Sequence, residues 1–398
     1  MRNHTRYSHE SSNRSASSQN KGRLKFATKG LIDFKSPGFS AGYTLQQSES
    51  KRGTSPSSRA ASQWALVLGI GGLLGAWLGT FYFSTWQAAL ETAQVHAGVV
   101  EYPPNNPFNH YHLEAWSLFH QVLAPLLAVG ISERAISVAL SAILLAVLFM
   151  ILASITYILS GNVALSPVAP LSLLMLYVTY NMHGPVYPLA LTGSYHTYGI
   201  AGRALALSAL VALAAGKYRL GGLLVGLGPG IHLTWGTWAG GVGVLALAWD
   251  FRVSRIHIKP LMQGAAVGAV VTVASFIHQS TLSQGLPKIP PEERQRYLEA
   301  YTTFDMHREA VWFMTPGPAM ALATTVLSGL ALWRLRAALS GSQQFLLRAM
   351  FLAGALSFAA AGLTLLPSLP PLVHRLMPGR FMNLPILALP AVLLGLLG

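Results

Sequence analysis

Apolar runs long enough to cross a bilayer recur along this chain from Trp64 onward, separated by short polar or basic stretches. A helix needs about 20 apolar residues to span the hydrocarbon core, so the runs predict membrane helices. They are Trp64–Trp86, Ala135–Leu159, Pro167–Asn181, Ala201–Ala215, Leu261–Gln279, Val311–Trp333, Phe345–Leu366 and Phe381–Gly398. Two prolines in Pro167–Asn181 predict an irregular or broken helix. Leu220–Trp249 is also apolar throughout, but basic residues flank both of its ends. A hairpin turning at Pro229-Gly230 keeps both flanks on one side. Irregular backbone at membrane depth must face protein or a wet cavity, which puts His232 and Trp235 at the outer end of a cavity. The expectation is an all-α, polytopic integral membrane bundle of about ten segments, including this short hairpin.

Charge orients the bundle. Residues 1–62 carry 11 Lys/Arg against three acids (Glu10, Asp33, Glu49), whereas no Lys or Arg lies between Ser62 and Arg134. Positive flanks stay cytoplasmic, so the tail is inside and the chain emerges after the first helix. Outer loops then fall at about 86–133, 182–198, 280–310 and 367–380, the first and third being large. Within 280–310, Pro290-Pro291 before Glu292-Glu293 reads as a helix start, giving an interfacial helix over 291–310. The chain stops at Gly398 within an apolar run, as a truncated chain would.

Composition agrees with a membrane domain at 63–398: 52% of residues are hydrophobic, 10% are charged and the mean hydropathy is +0.45. The net charge of +14 suggests nucleic acid, yet +8 of it (11 minus 3) sits in the tail. That tail has the Ser/Asn/Gly/Lys bias of a disordered cytoplasmic segment drawn to anionic lipid, so no nucleic-acid partner is expected. With no cysteine, disulfides, thiol nucleophiles and Cys-type zinc sites are excluded. The first apolar run begins far from the N-terminus and reads as an uncleaved anchor in a plasma (inner) membrane. The series Gly71, Gly75, Gly79 and the pair Gly222, Gly226 predict close helix packing.

Chemistry gathers on the outer side. Ten of thirteen histidines fall there, as do all the acids beyond the tail except Asp250. Ionisable groups around one mouth of an apolar bundle mark a functional site. In the first outer loop, prolines and asparagines predict irregular chain to about Phe108, then one helix over His110–Gly130. On it His110 and Glu114 share a face and His112 points elsewhere. An extended His110-x-His112 would suit a metal. The competing reading is hydrogen-bonding histidines in a wet vestibule, so no metal ligand is assigned and a divalent metal stays open as a cofactor. His307 and Arg308 precede a membrane helix; an arginine there suits an anionic group. His196 lies between helices, and Arg203 follows one turn into the next.

An uncleaved first helix, a large acidic outer loop, and a short hairpin reading Leu220-Gly-Gly-Leu-Leu-Val-Gly-Leu-Gly-Pro-Gly-Ile-His232 resemble the GT-C class of membrane glycosyltransferases. So does a second outer loop with an interfacial helix. The resemblance covers the layout of most of residues 63–398. It implies a polyprenyl-phosphate sugar donor and transfer at the outer face, with a loop carboxylate activating the acceptor and basic groups holding the lipid phosphate. Glu101 is then the base, with Glu91 and Glu114 as rivals, and Arg308, Arg203 and His232 hold the phosphate. Where the class often shows two adjacent acids after the first helix, this chain has the isolated Glu91 and Glu101. The alternatives are a transporter or channel with a re-entrant hairpin near His232, or a non-catalytic membrane protein. Oligomeric state is not legible.

The orientation is open to a direct check in the cysteine-free background. A membrane-impermeant thiol reagent should label Asn105→Cys in intact cells and leave Arg255→Cys unlabelled; the reverse pattern would invert the map.

Overall fold

The computed structural model describes residues 57–81, 88–103, 106–180, 198–250, 257–284, 316–364 and 378–398, with isolated positions at 286, 290–293, 295–296 and 366. The described residues are helical and contain no strand. In chain order they form α1 (Ser57–Gly79), α2 (Ala88–His96), α3 (Pro107–Glu114), α4 (Leu118–Ala128), α5 (Glu133–Ser160), α6 (Val168–Tyr180) and α7 (Tyr198–Ala214). Then follow α8 (Tyr218–Ile231), α9 (Leu233–Ala248), α10 (Ile258–Leu282), α11 (Pro316–Leu335), α12 (Gly341–Leu363), a 3-10 turn (Pro378–Met382) and α13 (Asn383–Leu397).

Six helices are long and apolar enough to cross a membrane: α1, α5, α10, α11, α12 and the turn with α13. The expected total of ten also counted α6 to α9, which are 13 to 17 residues long. At 1.5 Å per residue these reach only about 20–26 Å, short of a core of about 30 Å. Among the described residues, six helices thus have the length and composition to span, and the shorter helices pack among them.

Lipid-facing and buried surfaces separate as a bilayer requires. Met262, Val270, Val273 and Ile277 make an exposed apolar stripe on α10, which water would penalise and lipid accepts. The centre of the bundle is instead fully covered: Leu152, Ile155, Leu207, Leu346, Met350 and Ile386 are each below 2% exposed.

The glycine series do what their spacing predicts. Gly71, Gly75 and Gly79 lie against Phe149, Leu145 and Ser141, so α1 runs antiparallel to α5 at close range. A Cβ built at Gly75 would stand 2.5 Å from the Leu145 carbonyl oxygen. Gly222 and Gly226 on α8 meet backbone of α10, which answers with Gly264 and Gly268. The Thr272 hydroxyl donates to the Gly226 carbonyl at 2.8 Å across this parallel pair.

Three local expectations are corrected. The predicted helix over His110–Gly130 is broken: α3 ends at Glu114, Ala115 is extended, and Ser117 caps a new helix. Pro167 and Pro170 do not break α6, because Pro170 lies in its first turn, where no intrahelical bond is lost. The hairpin turns at His232 and not at Pro229-Gly230. Pro229 is housed in the last turn of α8, while His232 alone leaves helical geometry. Contacts of Gly228 with Gly236 and of Gly240 with Val225 confirm an antiparallel pair. Residues 291–293 and 295–296 are helical, but most of the expected 291–310 helix lies outside the described residues, as do residues 1–56.

Gly75→Ala should lower stability by about 1–3 kcal/mol in thermal unfolding in detergent. Gly69→Ala, whose added methyl meets nothing within 4 Å, should stay within about 0.5 kcal/mol of the wild type.

Candidate functional site

The hairpin break organises one end of the bundle. At φ −155° and ψ 106°, His232 stops α8 and starts α9, where its Nδ1 accepts the Trp235 N–H at 3.4 Å. Gly202 on α7 makes room for it; a Cβ there would sit 2.6 Å from the His232 Cβ. The break frees the Ile231 carbonyl, and the Ser117 hydroxyl donates to it at 2.6 Å. Ser117 also caps α4, where its oxygen accepts the Phe119 N–H and its own N–H donates to His120 Nε2 at 3.1 Å. One serine therefore joins the first loop to the hairpin.

More bonds hold the loop in place. The Trp116 indole donates to Ser275 Oγ at 3.1 Å, and Gln121 pairs with Ser275 and Gln279 on α10. The Gln279 amide donates to the Leu113 carbonyl. Underneath, three histidines pack together. The His96 Nε2–H donates to the His112 carbonyl at 3.0 Å, and His112 Nδ1 is hydrogen-bonded to Thr92 at 2.9 Å. The His96 and His120 rings meet edge to face at 5.0 Å. Aromatic contacts then run from Tyr102 over His112 to Tyr111, whose hydroxyl is 3.4 Å from that of Tyr198, and on to His232.

Cationic groups surround the break. Arg203, 5% exposed on the second turn of α7, and Arg380 in the 3-10 turn both lie within electrostatic range of the His232 ring. Phe381 fixes that turn, stacking flat on Trp238 at 4.0 Å and meeting Trp235 edge-on at 5.5 Å. The Trp238 indole N–H and the Asn383 amide are buried with no hydrogen-bond partner among the described residues.

A groove of about 950 Å³ reaches the same end of the bundle, with Arg203, His232 and Arg380 outside its lining. It lies between α1, α5, α7 and α8, walled by Trp64, Met150 and Leu205 among others, and runs from Ala201 and Ile231 at the mouth to Lys217 at the far end. Its walls are overwhelmingly apolar.

Of the residues singled out in the sequence, Arg203, His232, Trp235, His110 and His112 fall at this end of the bundle. His112 points away from the face that His110 shares with Glu114, and it is buried at the centre of the loop cluster. His110 and His112 do not converge, and among the described residues no three His, Asp or Glu side chains gather as a metal site. Glu91 is half-buried and within electrostatic range of His112. Glu101 is exposed beside Tyr102, and Glu114 is exposed at the end of α3. His196, His307 and Arg308 lie outside the described residues. The reading of the sequence missed Arg380, Ser117 and His120. The pattern Ser117-x-x-His120 was a capping signal, and Pro378-Gly379-Arg380 marked a turn before a membrane helix.

The chain matches no family model, no curated protein and no solved structure. Fold and composition together define a multi-pass helical membrane protein, with a cationic and aromatic mouth at one end of the bundle.

Burial holds His96, His112 and His120 neutral, lowering His96 and His112 below 6.5 and His120 to about 3, with Glu91 the opposing influence on His112 and His278 adding to the shift of His96. Below pH 6.5 the unfolded histidine binds a proton that the folded one refuses, so this stability is present above 6.5 and lost as pH falls toward 3. The slope should reach about 1.4 kcal/mol per pH unit for each histidine involved. His120→Gln keeps an acceptor for the Ser117 N–H and removes the titration. Its melting temperature, followed between pH 7 and 4, should fall less steeply than that of the wild type.

Proposed function

We propose that this protein transfers a sugar from a polyprenyl-phosphate donor at the mouth formed by α7, the α8–α9 hairpin and the 3-10 turn. With the N-terminus cytoplasmic, that mouth faces outward from the plasma membrane. The observation that carries the reading is a cluster of two arginines and a histidine at the end of the bundle where a large apolar groove reaches Ala201 and Ile231. Arginine suits phosphate geometrically, and a groove between membrane helices suits the hydrocarbon of the same molecule.

The chemistry is simple to balance. Glu101 takes the proton of the acceptor's hydroxyl, and the freed oxygen attacks the anomeric carbon. The bond from that carbon to the phosphate oxygen breaks, and its electron pair leaves on the polyprenyl phosphate. Arg203 and Arg380 stabilise that leaving charge, an effect worth about 3 kcal/mol for a well-placed donor in a dry site. The first loop, latched to the hairpin through Ser117, brings its carboxylates to the same end as the arginines. Glu91 beside His112 is the rival base.

In lipid nanodiscs supplied with a panel of polyprenyl-phosphate sugars and a panel of hydroxyl acceptors, the wild type should release free polyprenyl phosphate. Glu101→Gln should cut turnover at least 100-fold with an unchanged melting curve. Arg380→Gln should raise the donor KM and lower kcat. Full turnover in Glu101→Gln, with loss in Glu91→Gln, would move the base to Glu91. No release with any donor would overturn the transferase reading in favour of a transporter or a non-catalytic protein.

A further inference from the structure

The opposite end of the bundle carries a second cleft that the proposed reaction does not use. It lies between the end of α9, the end of α11 and the start of α12, has a volume of about 380 Å³, and is lined by Trp249, Leu332, Trp333, Arg336, Arg348 and Phe351, with Gly329 at its floor. We propose that this cleft binds one anionic phospholipid, with its phosphate at Arg336 and Arg334 and its chains against Leu332 and Phe351.

The charges are arranged for such a ligand. Arg348 is buried and committed, donating to Gln344 at 2.8 Å and pairing with Asp250 at 3.4 Å. Asp250 thus cancels the charge of Arg348 and leaves Arg336 and Arg334 to set the sign of the cleft. Arg336 is exposed, and its backbone is fixed by the Gln344 amide, which donates to its carbonyl at 3.0 Å. Arg334 lies over the ring of Trp333 at 4.2 Å, so its guanidinium is held against one wall residue of the cleft.

The aromatic groups mark the level. Trp333 is 70% and Trp249 50% exposed, on either side of the cleft, and Trp249 meets Phe351 edge-on at 6.0 Å. Indoles exposed beside arginines are the pattern of the headgroup layer, where one end of the ring is wet and the other apolar. Gly329 lets Phe351 approach its helix, where a Cβ would stand 3.2 Å from the ring. Lys217, Arg219 and Lys259 belong to the same end, which is the side attracted to an anionic leaflet. Apolar walls and exposed indoles favour a lipid over a soluble anion, and the cationic rim favours an anionic lipid over a zwitterionic one.

The test uses the full chain in vesicles of phosphatidylcholine with phosphatidylglycerol, extracted and weighed by native mass spectrometry. The wild type should retain one phosphatidylglycerol and no phosphatidylcholine. Retention should fall about fivefold in Arg336→Gln and about 25-fold in Arg334→Gln/Arg336→Gln. Lys259→Gln, at the same end but outside the cleft, should retain the lipid, and circular dichroism should show all variants equally helical. Equal retention in the double variant, or equal retention of phosphatidylcholine, would overturn the proposal. Displacement by millimolar glycerol 1-phosphate would also overturn it, by assigning the cleft to a soluble anion. So would a dimer mass without lipid, by making the face a contact between two copies.

Discussion

A bilayer offers no water to a backbone group that leaves its helix, and the α8–α9 hairpin breaks its helix at His232. What surrounds that break follows from the need to satisfy it. The histidine ring caps the next helix through the Trp235 N–H, the Ser117 hydroxyl takes the freed Ile231 carbonyl, and Gly202 brings α7 against the turn. Each of these partners belongs to a different part of the chain. The loop of α2 to α4, the hairpin and α7 therefore meet at one point because a single turn there needs covering.

That convergence assembles the mouth. The first turns of α7 carry Tyr198 and Arg203, and the stacking of Phe381 on Trp238 adds Arg380 from the far end of the sequence. The groove begins at Ala201 and Ile231, neighbours in sequence of Arg203 and His232. At the other end, Arg348 and Asp250 pair between α12 and the end of α9.

Much of this was legible in the sequence, for physical reasons that differ by feature. Apolar length and flanking charge announced the spanning helices, because the bilayer imposes both. The glycine spacing announced close packing of α1 and α8, which the structure realises against α5 and α10, because only a missing Cβ allows such approach. His232 and Arg203 could be singled out since a polar group within apolar surroundings needs a reason. Their neighbour Arg380 could not, since it is placed by long-range packing such as the stacking of Phe381 on Trp238, a contact across more than 140 residues. The break after Glu114 was hidden for the opposite reason. Ala115-Trp116-Ser117 has no proline or glycine, and the chain leaves the helix there because Ser117, Trp116 and Gln121 find partners on the hairpin and α10.

The most direct measurement is photocrosslinking with a polyprenyl phosphate carrying a photoreactive group beside the phosphate, applied to the protein in nanodiscs and mapped by peptide mass spectrometry. The account predicts adducts on 198–203, 231–238 and 378–383, competed away by unlabelled polyprenyl phosphate and lost in Arg203→Gln/Arg380→Gln. Adducts confined to the Lys217 end of the groove, or labelling that survives both competition and the double substitution, would contradict it.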